Sequence, residues 1–108
     1  MTVYLIPEHG PCSTRSLPDD DFLHGLQALL DGPIEVAPRG MLNHRYLLLV
    51  NEEGLFHEDF WPNARASAIS GTRLVGPAVV VGLGLVNDEP DFVGLTDFQV
   101  AYLDNLLA

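Results

Sequence analysis

Asn51, Glu52 and Glu53, with His57 and Glu58 a few residues on, form the densest polar group in this 108-residue chain, and they follow directly on the apolar run YLLLV at residues 46–50. Carboxylates held where a buried strand ends stand beside low-dielectric core, which raises their pKa and suits them to acid or base work. A hydrolase would use Glu52 and Glu53 in this way. The plainer reading is a turn, with Asn51 and Gly54 at its ends and two solvated glutamates on top. The turn takes precedence, because no second acid, base or metal ligand in the sequence can be assigned to the corner.

Other residue sets offer less chemistry. His9 and Cys12 have a His-x-x-Cys spacing that zinc can use, but both fall in a loop and a second pair is missing. His24, His44 and His57 add no pattern that puts two ligands on one face. Cys12 as a nucleophile lacks an orienting third group and an oxyanion site. Asp19, Asp20 and Asp21 read as a solvated complement to a helix N-terminus rather than as a cation site. Gly82-Leu83-Gly84 follows a strand but precedes no helix, so it does not make a dinucleotide loop. No cofactor and no metal are expected.

Trp61, the only tryptophan, sits beside Phe60 and before Pro62. It reads first as a cap on the core above a second helix, and alternatively as a protein-binding anchor beside Glu58 and Asp59. Asn63 is placed to cap that helix. Its N-terminus, with Arg65, Arg73 and the turn at Asn51 to Glu53, is the best available site for a small anion such as a nucleotide.

The elements that must position these groups can be read from pattern. TVYLI at residues 2–6 is a strand closed by Pro7, and PEHGPCSTRS after it is loop by composition. Pro18 opens a helix in which Phe22, Leu23, Leu26, Leu29 and Leu30 share a face, and Gly32-Pro33 stops it. Gly25 inside that helix marks a close approach by another element. IEVA at residues 34–37, between Pro33 and Pro38, is a short strand near a sheet edge, returning through residues 39–45 into 46–50 as an antiparallel hairpin.

Residues 46–50 have no polar alternate positions and so predict a strand covered on both faces. Leu55 and Phe56 are expected to continue as strand. Residues 64–69 form a short helix ended by Ser70-Gly71, and LVGPAVVVG at residues 74–82 holds a second buried strand that starts after Pro77. Residues 83–94 read as loop with at most a strand fragment. Thr96-x-x-Gln99 is a capping box opening a final helix whose apolar face is Phe98, Tyr102, Leu103, Leu106 and Leu107. The expected fold is a single α+β domain over residues 1–108, a small mixed sheet of four to five strands with two main helices and one short one.

Composition narrows the function classes. Fifteen Asp and Glu oppose five Arg and no Lys, a net charge of -10, which repels phosphate backbones and anionic lipid and favours a basic protein partner. Direct nucleic-acid binding and membrane association are not expected. A single cysteine suits a reducing compartment, the apolar runs are too short to cross a bilayer, and the N-terminal residues show no basic leader, so a cytoplasmic location is expected.

Four segments carry a family resemblance: PIEVAP (33–38), LLVNEEGL (48–55), PNARA (62–66) and LVGPAVVVG (74–82). Over residues 2–85 the chain resembles an uncharacterised domain family of small proteins from tailed phages, mobile elements and their bacterial hosts. The resemblance implies no established activity, substrate or cofactor. It implies a phage-related or accessory origin, and it marks Asn51, Glu52, Gly54, Asn63 and Ala66. Together these readings predict a non-enzymatic accessory or binding protein, phage-associated and of a counter-defence kind, whose acidic surface engages a host or phage protein. A small-ligand binder is the alternative and a Glu52/Glu53 hydrolase the third reading. Asn51, Glu52, Glu53, His57, Trp61, Asn63 and Arg65 are the candidate binding residues, with Asn51 and Asn63 chiefly architectural.

Overall fold

A computed structural model describes residues 1–37 and 45–107. The elements run β1 (Thr2–Ile6), β2 (Ser13–Ser16), α1 (Phe22–Leu30), β3 (Ile34–Val36), β4 (Tyr46–Asn51), a 3-10 turn (Gly54–Phe56), α2 (Ala64–Ser70), β5 (Ala78–Val86), β6 (Glu89–Val93) and α3 (Asp97–Leu107). The fold is α+β as expected, but the described strands number six and pair only antiparallel, in the order β2-β1-β5-β4-β3 with β6 also on β5.

β5 is the spine. Its first half is flanked by β1 (Leu5 opposite Val79) and by β4 (Leu48 opposite Val80). Its second half turns back through Asn87 and Asp88, both at positive φ, into β6. Two successive left-handed residues are what a tight two-residue hairpin needs, and Asn and Asp tolerate them. Gly82 pairs with Tyr46 of β4 and with Val93 of β6, so β6 occupies the same side of β5 as β1 and prolongs that row of the sheet.

Every residue of β4 is buried, because helices cover both sheet faces. Leu47, Leu49, Val79 and Val81 point to one face, where Leu26 and Leu30 of α1 pack on them. Tyr46, Leu48, Val50, Ala78 and Val80 point to the other, under Ala66 of α2 and Leu103 of α3. Complete burial of each such Leu or Val contributes about 1.5–3 kcal/mol. The period-2 alternation of a strand thus divides one apolar run between two cores.

Several local expectations need correction. β2 forms within residues read as loop, and β6 within residues left as at most a strand fragment. α1 begins at Phe22, not at Pro18. Asp21 stands at its N-cap position without a side-chain capping bond, Asp19 accepts a 2.7 Å hydrogen bond from the Met1 amino group, and Asp21 pairs with His24. Leu55 and Phe56 wind into the 3-10 turn instead of extending a strand. On α3 only Leu103 is fully buried, while Phe98, Tyr102 and Leu106 face solvent. The loop expected at residues 39–45 lies, apart from Arg45, outside the described residues.

Other details follow the sequence. β3 and β4 form the hairpin in the register Glu35 opposite Val50, with β3 at the sheet edge. Gly25 is the close approach: a Cβ there would stand 2.8 Å from the Leu17 side chain. The α3 capping box is reciprocal, the Gln99 amide donating to the Thr96 hydroxyl (3.1 Å) and the Thr96 amide to Gln99 Oε1 (2.8 Å).

Candidate functional site

Two asparagines lock the polar corner and the second helix to the sheet. Asn51 closes β4, and its side-chain amide donates to the carbonyls of Leu30 and Asp31 at 2.9 Å each, while its Oδ1 accepts the Glu53 amide at 2.7 Å. One side chain therefore ties the end of α1 to the start of the turn. Asn63 is fully buried. Its Oδ1 caps α2 by accepting the Ala66 amide (3.0 Å), and its Nδ2 donates to Ile6 O and Gly76 O, joining β1 to the entrance of β5. Both amides have used their side-chain donors, which makes them fasteners rather than ligand-binding groups.

Around this frame the chain from residue 52 to 61 stands outward. Glu52, Glu53, Glu58 and Asp59 are exposed. So are Leu55 at 76%, Phe56 at 88% and Trp61 at 63%. Trp61 is therefore not a core cap. Its neighbour Phe60 is half-buried and packs instead against the backbone of Gly76, where an added Cβ would stand 2.5 Å from the ring Cδ2. Phe60 also stacks on His57, with centroids 3.8 Å apart and planes 4° from parallel, and His57 Nε2 bonds Asp31 at 3.0 Å. Trp61 keeps its amide on the Glu8 carboxylate (2.7 Å) and an edge contact to His9. The loop is pinned from beneath, and its large apolar side chains are left outside.

The candidate residues do not all converge. Asn51 and Glu52 line a cleft of about 190 Å³ together with Glu35, Leu55, Phe56 and Arg73. Asn63 and Arg65 are elsewhere: Arg65 donates to Pro7 O at 2.8 Å and borders a different cleft with Tyr4, Cys12 and Asp104. α2, at seven residues, offers no separate anion site. Glu35, Leu55 and Phe56 are absent from the sequence-based site. The signal for the last two was available, as two large apolar residues placed directly after a Gly within an otherwise polar stretch.

The second cleft holds a strongly perturbed group, Tyr4, beside a possible nucleophile, Cys12. Burial, and then the hydrogen bond from its hydroxyl to Asp104 (2.8 Å), push the Tyr4 phenol far above its usual range. Tyr4 is thus a fixed donor and not a general base at neutral pH. Among the described residues, no three His, Cys, Asp or Glu groups gather to hold a metal ion. No helix of the described residues is long and apolar enough to cross a membrane.

With a two-sided antiparallel sheet and an Asn51/Asn63 frame established, comparison with known families places the chain. It belongs to the DUF3846 family, a domain of unknown function, whose model matches residues 1–108. The resemblance drawn over residues 2–85 is thereby extended through β6 and α3. No curated protein and no solved structure gives a significant match.

Proposed function

We propose that this DUF3846 chain is a non-catalytic binding protein that engages a basic protein partner through residues 52–61. The observation that carries the reading is the exposure of Leu55, Phe56 and Trp61 in a loop that also presents Glu52, Glu53, Glu58 and Asp59. Large aromatic side chains left in water amid like charges are costly for a free monomer but suit a desolvated anchor inside a charged rim. The net charge of -10 adds steering toward cationic surfaces. The resemblance to small phage and mobile-element proteins favours a host or phage partner met in the cytoplasm, with occupation of a nucleic-acid-binding or effector surface as one version.

The other readings have less support. A nucleotide site required Arg65, Arg73 and the α2 N-terminus to meet. Arg73 instead shares its cleft with Glu35 and Glu52, and Arg65 is held by Pro7. Hydrolysis by Glu52 and Glu53 requires convergent partners, and both side chains stand exposed on the turn.

Affinity capture on the folded chain at low and high salt, beside Phe56→Ala and Trp61→Ala variants, tests the proposal. The expected result is a protein whose retention falls with salt and with either substitution. Retention indifferent to both removes the reading.

A further inference from the structure

The hairpin register determines which backbone groups of β3 are left over. Ala37 donates to Leu48 O and Glu52 donates to Pro33 O, at 2.9 and 2.8 Å. In an antiparallel ladder such bonded pairs alternate, so Pro33, Glu35 and Ala37 face β4. Ile34 and Val36 therefore direct their N–H and C=O groups away from the sheet, at its edge. No described residue bonds to them.

The same register sends the side chain of Glu35 to the face of Val50, which is the face of α2 and α3. There the helices leave β3 uncovered, and the 190 Å³ cleft opens beside it. Its walls combine the apolar surfaces of Leu55 and Phe56 with the carboxylates of Glu35 and Glu52, against the single guanidinium of Arg73. The opposite edge, β2, has the exposed sequence Thr14-Arg15-Ser16, with a basic and no acidic side chain.

We infer that β3 is a strand-addition site for an extended basic segment of a protein partner, which pairs with Ile34 and Val36 and places a Lys or Arg side chain in the cleft. The added strand gains directional hydrogen bonds from the edge. The aliphatic stem of the cation lies on Leu55 and Phe56, and its head meets Glu35 and Glu52. A second copy of this chain is disfavoured as the occupant, because each copy brings the same charge of -10. The inference rests on the basic-partner reading above and names the form that partner takes.

The probe is a Val-Lys alternating octapeptide, compared with its Val-Glu twin, titrated into isotopically labelled chain at low salt. The expected result is that only the basic peptide shifts the Ile34 and Val36 amides and slows their hydrogen exchange. Val36→Pro removes one outward donor and leaves the bonds to β4 intact, since an edge strand tolerates Pro on its solvent side. Loss of that bond should weaken binding about fivefold. Glu35→Gln with Glu52→Gln should weaken it at least as much without touching the backbone. If Val36→Pro does not fold, the amide protection in the native chain and this charge variant decide.

Shifts confined to residues 52–61, sensitive to Trp61→Ala and indifferent to the β3 variants, would overturn strand addition while leaving the acidic-loop reading intact. No response to the basic peptide anywhere would overturn both. A β3-dependent doubling of mass without peptide would show that a second copy takes the edge, and so would also overturn the inference.

Discussion

Asn63 illustrates how one buried polar side chain can hold three parts of a small protein together. Replacing it with Ala removes a helix cap and leaves the carbonyls of Ile6 and Gly76 without their partner. The expected loss is about 3 kcal/mol or more, read as a lowered urea midpoint with unchanged slope. Asn63→Asp retains the capping oxygen but buries a charge against two carbonyls, so it should be no better tolerated at neutral pH. By contrast, Glu52→Gln with Glu53→Gln should leave the midpoint within about 0.5 kcal/mol of the native chain, since both side chains sit in water. Tyr4 makes a pH prediction. Its phenol, raised by burial and by Asp104, contributes stability in full below the unfolded value near 10. That contribution is lost as pH rises above 10. Tyr46, raised by burial and by Tyr102, acts in the same direction. Urea midpoints from pH 7 to about 11 should fall at the alkaline end, and Tyr4→Phe should lower the neutral value by about 1 kcal/mol and flatten the fall.

At the scale of elements, Gly76 is the position where the chain must turn under Phe60. Its φ is +85°, and an added methyl would strike the ring. Gly76→Ala should therefore cost about 2–4 kcal/mol, measurable by thermal unfolding, whereas Gly71→Ala, left-handed but in open space, should cost only the strain of about 1 kcal/mol. Strands buried on both faces were legible in the sequence: residues 46–50 and 78–82 have no polar alternation and no other soluble explanation. So were the α3 capping box and the Asn63 cap, which are local hydrogen-bond patterns. β2 was not legible, because Ser13-Thr14-Arg15-Ser16 is an edge strand with little to bury and is held by its pairing to β1. β6 was hidden by Pro90, whose missing N–H falls at a position facing away from β5 and so interrupts no ladder bond. Which of two adjacent aromatics, Phe60 or Trp61, packs down on the fold depends on Gly76 sixteen and fifteen positions later, which no local pattern contains. The candidate site was legible only in part for the same reason. Asn51 and Glu52 adjoin in sequence, but Glu35 and Arg73 reach their cleft through sheet pairing and the α2–β5 connection.

For the whole molecule, the balance of fifteen acids against five Arg means that folding brings like charges together. Added salt should raise the melting temperature by a few degrees, checked by calorimetry between low and moderate sodium chloride. The same salt should weaken any partner held by residues 52–61, so stability and binding are expected to move in opposite directions. Covering both sheet faces also separates tasks. The α1 side carries Leu26 and Leu30 over the sheet, while on the α2 and α3 side one cleft opens beside Glu35 and another beside Tyr4. The position of β5 has a consequence for how the protein is made. It alone joins the β1–β2 pair to the β3–β4 pair, yet it is the fifth of six strands to be synthesised. Until it leaves the ribosome, the earlier residues can form only two separate hairpins, each with exposed apolar faces and marginal on its own. A nascent chain arrested before residue 78 should remain protease-sensitive, and protection should arrive abruptly once residues 78–86 have emerged. The growing chain therefore depends on rapid completion, or on a chaperone, for most of its synthesis.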